Sequence, residues 1–294
     1  MTVRYAIVDS AQRPHFHERL EKLRIPYRSL FDGTAEQALE DIAPLVLEHP
    51  SDLMDGSLLS HELRALGERK PAVSFIASDA SMDVLATHFR NFHLVRVPEQ
   101  GGKDMLLRWY DTRILPVWMQ LLHPEQKAAF IGPVSEWRYY DRFGDLQNLP
   151  IPAPLAEGFP ALPPLRLDAE QYAGFLDACE SDMAIAQLRR VIPDEMRRVP
   201  YRELYPFVST HLRDSIAHGV AMLDDHVQYL LLALYTSGGF RDYPMVIDRL
   251  AQNADAWPES FTDWATALPD DVWTTGVPLW ESHAETSPAL RSVS

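Results

Sequence analysis

A chain of 294 residues with 46% hydrophobic and 23% charged side chains has apolar material for one large core or two modest ones, which argues against disorder over most of its length. The formal charge of −15 is uneven: residues 1–150 hold 17 Lys and Arg against 21 Asp and Glu, and residues 151–294 hold 10 against 21. An acidic body repels phosphate backbones and anionic lipid, so nucleic acid and membrane surfaces are excluded as main partners and a basic protein segment is favoured.

All four lysines (Lys22, Lys70, Lys103, Lys127) lie in the first half. The single cysteine, Cys179, excludes an internal disulfide and a cysteine-based zinc site. The longest apolar run, Tyr229–Tyr235, is far short of the roughly 18–20 residues that span a bilayer. The opening MTVRYAIVDS lacks the basic flank and apolar stretch of a secretory signal, so the expected compartment is the cytoplasm.

In chain order, Val3–Val8 is rich in β-formers and stops at Asp9-Ser10, a turn or cap signal. Phe16, Leu20 and Leu23 repeat at helical spacing, and Tyr27–Phe31 and Pro44–Leu47 read as short strands, the first closed by Asp32-Gly33. A helix of about 16 residues is expected from Ser51 to Gly67. Val73–Ala77 reads as a buried strand and Ser81 as the cap of the helix that follows. Leu94–Val97 and Met105–Tyr110 flank Gly101-Gly102 as a hairpin, Asp111-Thr112 caps a helix from Arg113 to about Leu122, and Glu136–Tyr140 is a last strand. Strands alternating with helices predict an α/β N-terminal lobe over 1–148, with the hairpin making its sheet mixed.

Residues 149–164 contain six prolines and are expected to be a stiff extended connector. From 165 to 281 the pattern is helical, predicting an all-α C-terminal lobe: Ala169–Cys179, Met183–Val191, Tyr201–Met222, Asp225–Thr236, Tyr243–Ala254 and a piece near Trp264. Residues 282–294 read as a polar tail.

Chemistry-bearing motifs are sparse. No glycine-rich phosphate loop, H-E-x-x-H, nucleophile elbow or EF-hand pattern occurs, so neither a cofactor nor a metal is expected. His15 and His17 sit two apart and would diverge on a helix, while His211 and His218 share a helix face at the edge of an apolar stripe. Asp224-Asp225-His226 reads as a cap and first helical turn, and Cys179, lacking a histidine partner, as a packing residue. Asp9, Asp32, Asp79 and Asp111 follow strand-like segments, where α/β sites gather, although each also occupies a turn or cap position.

YAIVDSAQ (5–12), YRSLFDGT (27–34), APLVLEH (43–49), FIASDASMDVLATHFRNF (75–92), LLRWYDTRILPVW (106–118) and FIGPV (130–134), in this order, resemble type VI secretion effector adaptors, or effector chaperones (Tap/TEC, VasW-like), over residues 3–140. Trp109 departs from the Phe or Tyr usual at its place. A looser likeness extends to HLRDSIAHGVAML and Gly238-Gly239-Phe240. The resemblance implies a non-enzymatic protein that binds a secreted effector and the VgrG spike and loads one onto the other. On it, Asp9, Arg28, Phe31, Asp32, Asp111 and Arg113 match the family pattern and are expected to fix turns and lobe packing.

An adaptor needs exposed apolar anchors with a polar rim. The candidates are Tyr201, Tyr205 and Phe207, then Tyr229, Leu231 and Tyr235 from a run apolar all round its helix, and Trp264. The competing expectation is that the helical lobe's own core covers that run. Two other functions stay open: a small-molecule hydrolase or transferase, which requires Asp9, Asp32 and Asp111 to converge on an accessible pocket, and an immunity protein whose acidic lobe blocks a toxin.

Overall fold

Strand β1 (Val3–Val8) is central to the first half of the chain in a computed structural model, which describes residues 2–49, 56–98, 104–152, 162–253 and 257–282. The strand is flanked on one side by β3 (Leu45–Glu48) and on the other by β4 (Val73–Ser78). Outside these lie β2 (Tyr27–Ser29), then β7 (Val134–Tyr140) and β8 (Leu146–Asn148), giving the order β2-β3-β1-β4-β7-β8. Every pairing in this sheet is antiparallel.

Side-chain alternation along these strands loads both faces, as the two-residue period of a strand requires. Tyr5, Ile7, Val46, Ile76 and Trp137 enter one core, and Ala6, Val8, Leu45, Leu47, Val73 and Phe75 enter the other. Helices α1 (Phe16–Leu23) and α2 (Leu58–Gly67) supply Phe16, Leu20, Leu59, Leu63 and Leu66 to the second core. Three more helices cover the first core: α3 (Met82–Arg90), α4 (Leu115–Leu121) and α5 (Pro124–Ile131). Its centre is aromatic: Phe130 lies 5.3 Å from Trp109, 5.6 Å from Trp137 and 6.1 Å from Trp118, ring centre to ring centre. A strand layer between helical layers is the α/β lobe that the sequence predicts.

The mixed pairing lies elsewhere than expected. Strands β5 (Leu94–Arg96) and β6 (Asp104–Leu106) pair antiparallel as expected, with β6 ending at Leu106 rather than Tyr110 and Gly101-Gly102 outside the described residues, but they do so in a separate three-stranded sheet of order β6-β5-β9. There β9 (Leu165–Arg166) pairs parallel to β5. The large sheet stays antiparallel because β1 takes antiparallel neighbours on both sides, with β4 passing the chain on to β7.

By its contacts the chain divides into residues 1–177 and 178–294. The division falls inside α6 (Ala169–Val191), a single helix where the sequence suggests a break after Cys179. Thus β9 and the first turns of α6 group with the first unit, rather than opening a helical lobe at residue 165. Asp168 and Gln171 start the helix by bonding each other's backbone N–H, and the Gln171 amide donates to Leu121 O and Gln126 Oε1. Gly174 packs close to the Leu121 side chain, which a Cβ there would have to displace. Of the expected connector, residues 153–161 lie outside the described residues, as do 51–55 of the expected second helix and the tail from 283.

The second unit is helical: α7 (Pro193–Arg198), α8 (Tyr201–Ala217), α9 (Leu223–Thr236), α10 (Pro244–Leu250), α11 (Phe261–Thr266) and α12 (Leu279–Ser282), together with the end of α6. Helix α9 is its axis. Leu230 and Leu234 face a core with α8, while Tyr229, Leu232 and Ala233 face Phe240, Val246 and Phe261. Helix α8 ends at Ala217, earlier than its expected end at Met222, because Gly219 turns the chain at positive φ.

Candidate functional site

Three places carry the residues that the sequence singles out. The first lies where β1 ends. Asp9 is completely buried; its Oδ1 accepts from Ala11 N at 3.1 Å, and its Oδ2 accepts from Arg108 Nη2 at 2.7 Å. Asp111 is also buried and is held by Arg113 through Nε at 3.0 Å, Nη2 at 2.6 Å and the backbone N at 3.1 Å. Arg108 lies 3.9 Å from Asp111 and so joins the two carboxylates.

Burial pushes the Asp9 carboxyl up to about 6, against the lowering effect of Arg108 and with a smaller raising effect from Asp111. Burial works against the Arg108 charge, yet Asp9 and Asp111 more than offset it and hold the guanidinium above its ordinary value. Next to them, Thr112 donates to Tyr140 O at 2.5 Å and its N–H reaches Pro71 O at 3.1 Å. The 108–113 turn thereby joins the ends of β1, β4 and β7. Arg108, which the sequence reading passed over, sits inside LLRWYDTR, between the two acids it bridges.

The second place is the YRSLFDGT turn. Arg90, at the end of α3, donates to Ser29 O at 3.2 and 2.8 Å and to Asp32 Oδ2 at 3.2 Å. Arg28 donates to Asp83 at 2.5 Å and to Tyr27 O at 2.9 Å. Phe31 is buried and meets the Tyr110 ring edge-on at 6.5 Å. Asp32 is therefore separate from the Asp9–Asp111 pair: Asp9 and Asp111 converge, both buried and under arginines, and Asp32 is paired at another turn. His15, in a left-handed conformation at the start of α1, pairs with Asp41 at 2.9 Å, while His17 is buried; the two rings nonetheless lie 6.4 Å apart, centre to centre, rather than diverging. Among the described residues no group of three or more His, Cys, Asp or Glu is placed to hold a metal ion.

The third place is the aromatic set of the second unit. Tyr229 has no exposed surface, and its hydroxyl donates to Asp214, which also takes Arg241 at 3.1 Å. Burial and then Asp214 push that hydroxyl above its ordinary range. As an anchor for a partner, Tyr229 is corrected to a core residue: Leu230, Leu232, Ala233 and Leu234 beside it are equally enclosed by the unit's own helices.

Tyr201, Tyr205, Phe207, Leu231 and Tyr235 are half-buried against the same core. Tyr201 donates to Asp182 at 2.9 Å, and Tyr235 meets Trp280 edge-on at 4.8 Å. Trp264 is half-buried, with Arg249 over its ring at 5.3 Å. The exposed apolar side chains of this unit are ones the sequence reading left unmarked, among them Met222 (68%), Ile216 and Leu223 about the α8–α9 turn, and Met245 and Ile247 on α10. Aromatic content pointed to the core, whereas these lie on polar-flanked helix ends that periodicity does not distinguish.

The architecture so defined is an α/β unit followed by a helical one, with its sequence motifs spent on turns and ion pairs of the first. Residues 4–129, from β1 into α5, match the family model described as "Domain of unknown function (DUF4123)", a family associated with type VI secretion effector adaptors. No curated protein and no solved structure matches the chain. Among the described residues no helix is long and apolar enough to cross a membrane.

Proposed function

We propose that this chain is a non-enzymatic, cytoplasmic adaptor that binds a secreted effector and loads it onto the VgrG spike of a type VI secretion system. The observation that carries the reading is the family match over residues 4–129, on the same segments that bear the ordered motifs. The geometry is in keeping with it. The carboxylates that an enzymatic reading needs accept local turn bonds and arginine pairs, as scaffold residues do.

The second unit is the place for cargo. It has no lysine, an excess of acidic groups, and exposed Met222, Leu223 and Ile216, which suit a basic segment with apolar side chains. The test is co-purification of the tagged full-length chain with the spike and effector proteins encoded beside it. Recovery of both supports the reading, and recovery of neither while both are folded overturns it. Co-expression with the toxin separates the immunity alternative, because an adaptor leaves cells unprotected.

A further inference from the structure

Helices α4 and α5, strand β7 and the chain just after β8 border a cavity of about 460 Å³ in the first unit. Its wall is mostly apolar: Met119 and Leu149, both buried, stand with Pro116, Pro150 and Pro152.

The polar groups at this cavity are few and uncommitted. Tyr139 lies on β7 two residues beyond Trp137, on the face that α4 and α5 cover, and is only 8% exposed. Its ring packs in the core, so the part that meets the cavity is the hydroxyl end. That hydroxyl makes no hydrogen bond among the described residues, and unlike the indole N–H groups of Trp109, Trp118 and Trp137 it is not sealed inside the core. Lys127, half-buried on α5, is the one charged side chain among the described lining residues and makes no ion pair with any of the described residues. Asp141, whose charge bears on Tyr139, is not among the lining residues described, and its oxygens already accept from Phe143 N, Asp145 N and the Gln147 amide.

An apolar wall with a few convergent polar groups is the usual form of a small-ligand site. One ammonium balances one negative charge, and an ammonium with a hydroxyl donor supplies one donor for each oxygen of a carboxylate. A phosphate dianion would keep an uncompensated charge against the apolar wall.

We propose that this cavity binds an apolar carboxylic acid, with Lys127 as the charge partner of its carboxylate, the Tyr139 hydroxyl as a second donor, and Met119, Leu149 and the prolines against its apolar body. This does not rest on the adaptor reading. A free organic acid and the C-terminal residue of a peptide present the same chemistry, and the experiment separates the two sources.

The test titrates the full-length chain with 4-phenylbutyrate and its amide, and with Gly-Gly-Leu bearing either a free C-terminal carboxylate or an amide, following the Met119 methyl and Tyr139 ring resonances by NMR. An acid is expected to shift both resonances and its amide to bind at least about tenfold more weakly, the loss of one charge-assisted contact. Binding of 4-phenylbutyrate without the peptide acid assigns the site to a free acid, and the reverse assigns it to a peptide terminus.

Tyr139→Phe removes only a hydroxyl that bonds nothing else among the described residues, and Lys127→Gln removes only the charge. Each is expected to weaken binding of the acid about tenfold. Should one variant not fold, the other still decides. Unmoved Met119 and Tyr139 resonances with both acids, amides that bind as tightly as the acids, or unchanged affinity in either folded variant would each overturn the proposal.

Discussion

Arg108 lies partly in solvent yet ends 2.7 Å from the carboxylate of Asp9, which has no exposure at all. The arrangement places a buried charge in the care of one side chain that water can reach. Removing one member of such a pair leaves its partner uncompensated, at a cost of about 3–5 kcal/mol. Arg108→Met is therefore expected to lower stability by that order at pH 7, read from urea unfolding midpoints. A loss below about 1 kcal/mol would mean that Asp9 finds another counter-charge.

The same pair sets a pH dependence. The folded Asp9 carboxyl sits near 6 against an ordinary 3.8, so the folded state holds this proton more tightly than the unfolded chain. Its stabilising contribution is thus complete below about 4 and is lost as pH rises through about 6. Asp9→Asn keeps an oxygen for the Ala11 N–H and removes the titration. The variant should gain on the wild type as pH rises from about 4 to 7, by on the order of 2 kcal/mol. Parallel stability–pH curves for the two proteins would contradict the buried-carboxylate account.

Arg90 anchors the YRSLFDGT turn through three hydrogen bonds to Ser29 O and Asp32. A planar fork makes this geometry, and a lysine ammonium cannot reproduce it. Arg90→Lys is expected to cost about 1–2 kcal/mol and to speed amide exchange of residues 29–34 with little change in β1 or β4. Uniform acceleration over the whole unit would show that the turn unfolds only globally.

The strands and caps of the first unit were legible because they depend on local signals: β1 and β4 on β-branched runs, α3 on Ser81, whose side chain accepts from Val84 N. Helix α5 was missed, because His123-Pro124 opens it with a cap that lacks the usual Ser, Thr or Asp. Strand β9 has two residues and exists only through its pairing with β5, a contact about 70 residues away that no periodicity encodes. The motif acids were legible as turn residues, but the arginines that join them, Arg90 and Arg108, come from other elements. In the second unit, a run apolar all round its helix signalled burial, and Tyr229, Leu230, Leu232, Ala233 and Leu234 are enclosed while Leu231 and Tyr235 stay half-buried.

Tyr229 separates core from interface directly. Tyr229→Phe loses only the bond to Asp214 and is expected to cost about 1–2 kcal/mol, whereas Tyr229→Ala opens a cavity between Phe240 and Phe261 and is expected to cost about 3–5 kcal/mol. Thermal unfolding of both variants checks this. If Tyr229→Ala instead stays as stable as the wild type while losing a partner, the residue is an anchor after all.

Met222 provides the opposite case. It is 68% exposed at the start of α9, beside Leu223 and the acidic Asp224, so truncating or charging it disturbs no core. Met222→Glu is expected to leave unfolding within about 0.5 kcal/mol of the wild type, as for other exposed positions. On the adaptor reading it should nonetheless weaken effector capture by at least about tenfold, because a charge would sit where an apolar contact is buried on binding. Capture that depends on the acidic surface should also fall as salt rises, since charge steering acts over only about 8–10 Å at physiological ionic strength. Quantitative pull-down of the effector across a salt series, with wild type and Met222→Glu in parallel, measures both. Unchanged capture by a folded Met222→Glu protein would move the cargo surface away from the α8–α9 turn, and salt-independent capture would remove the charge argument for placing it on this unit.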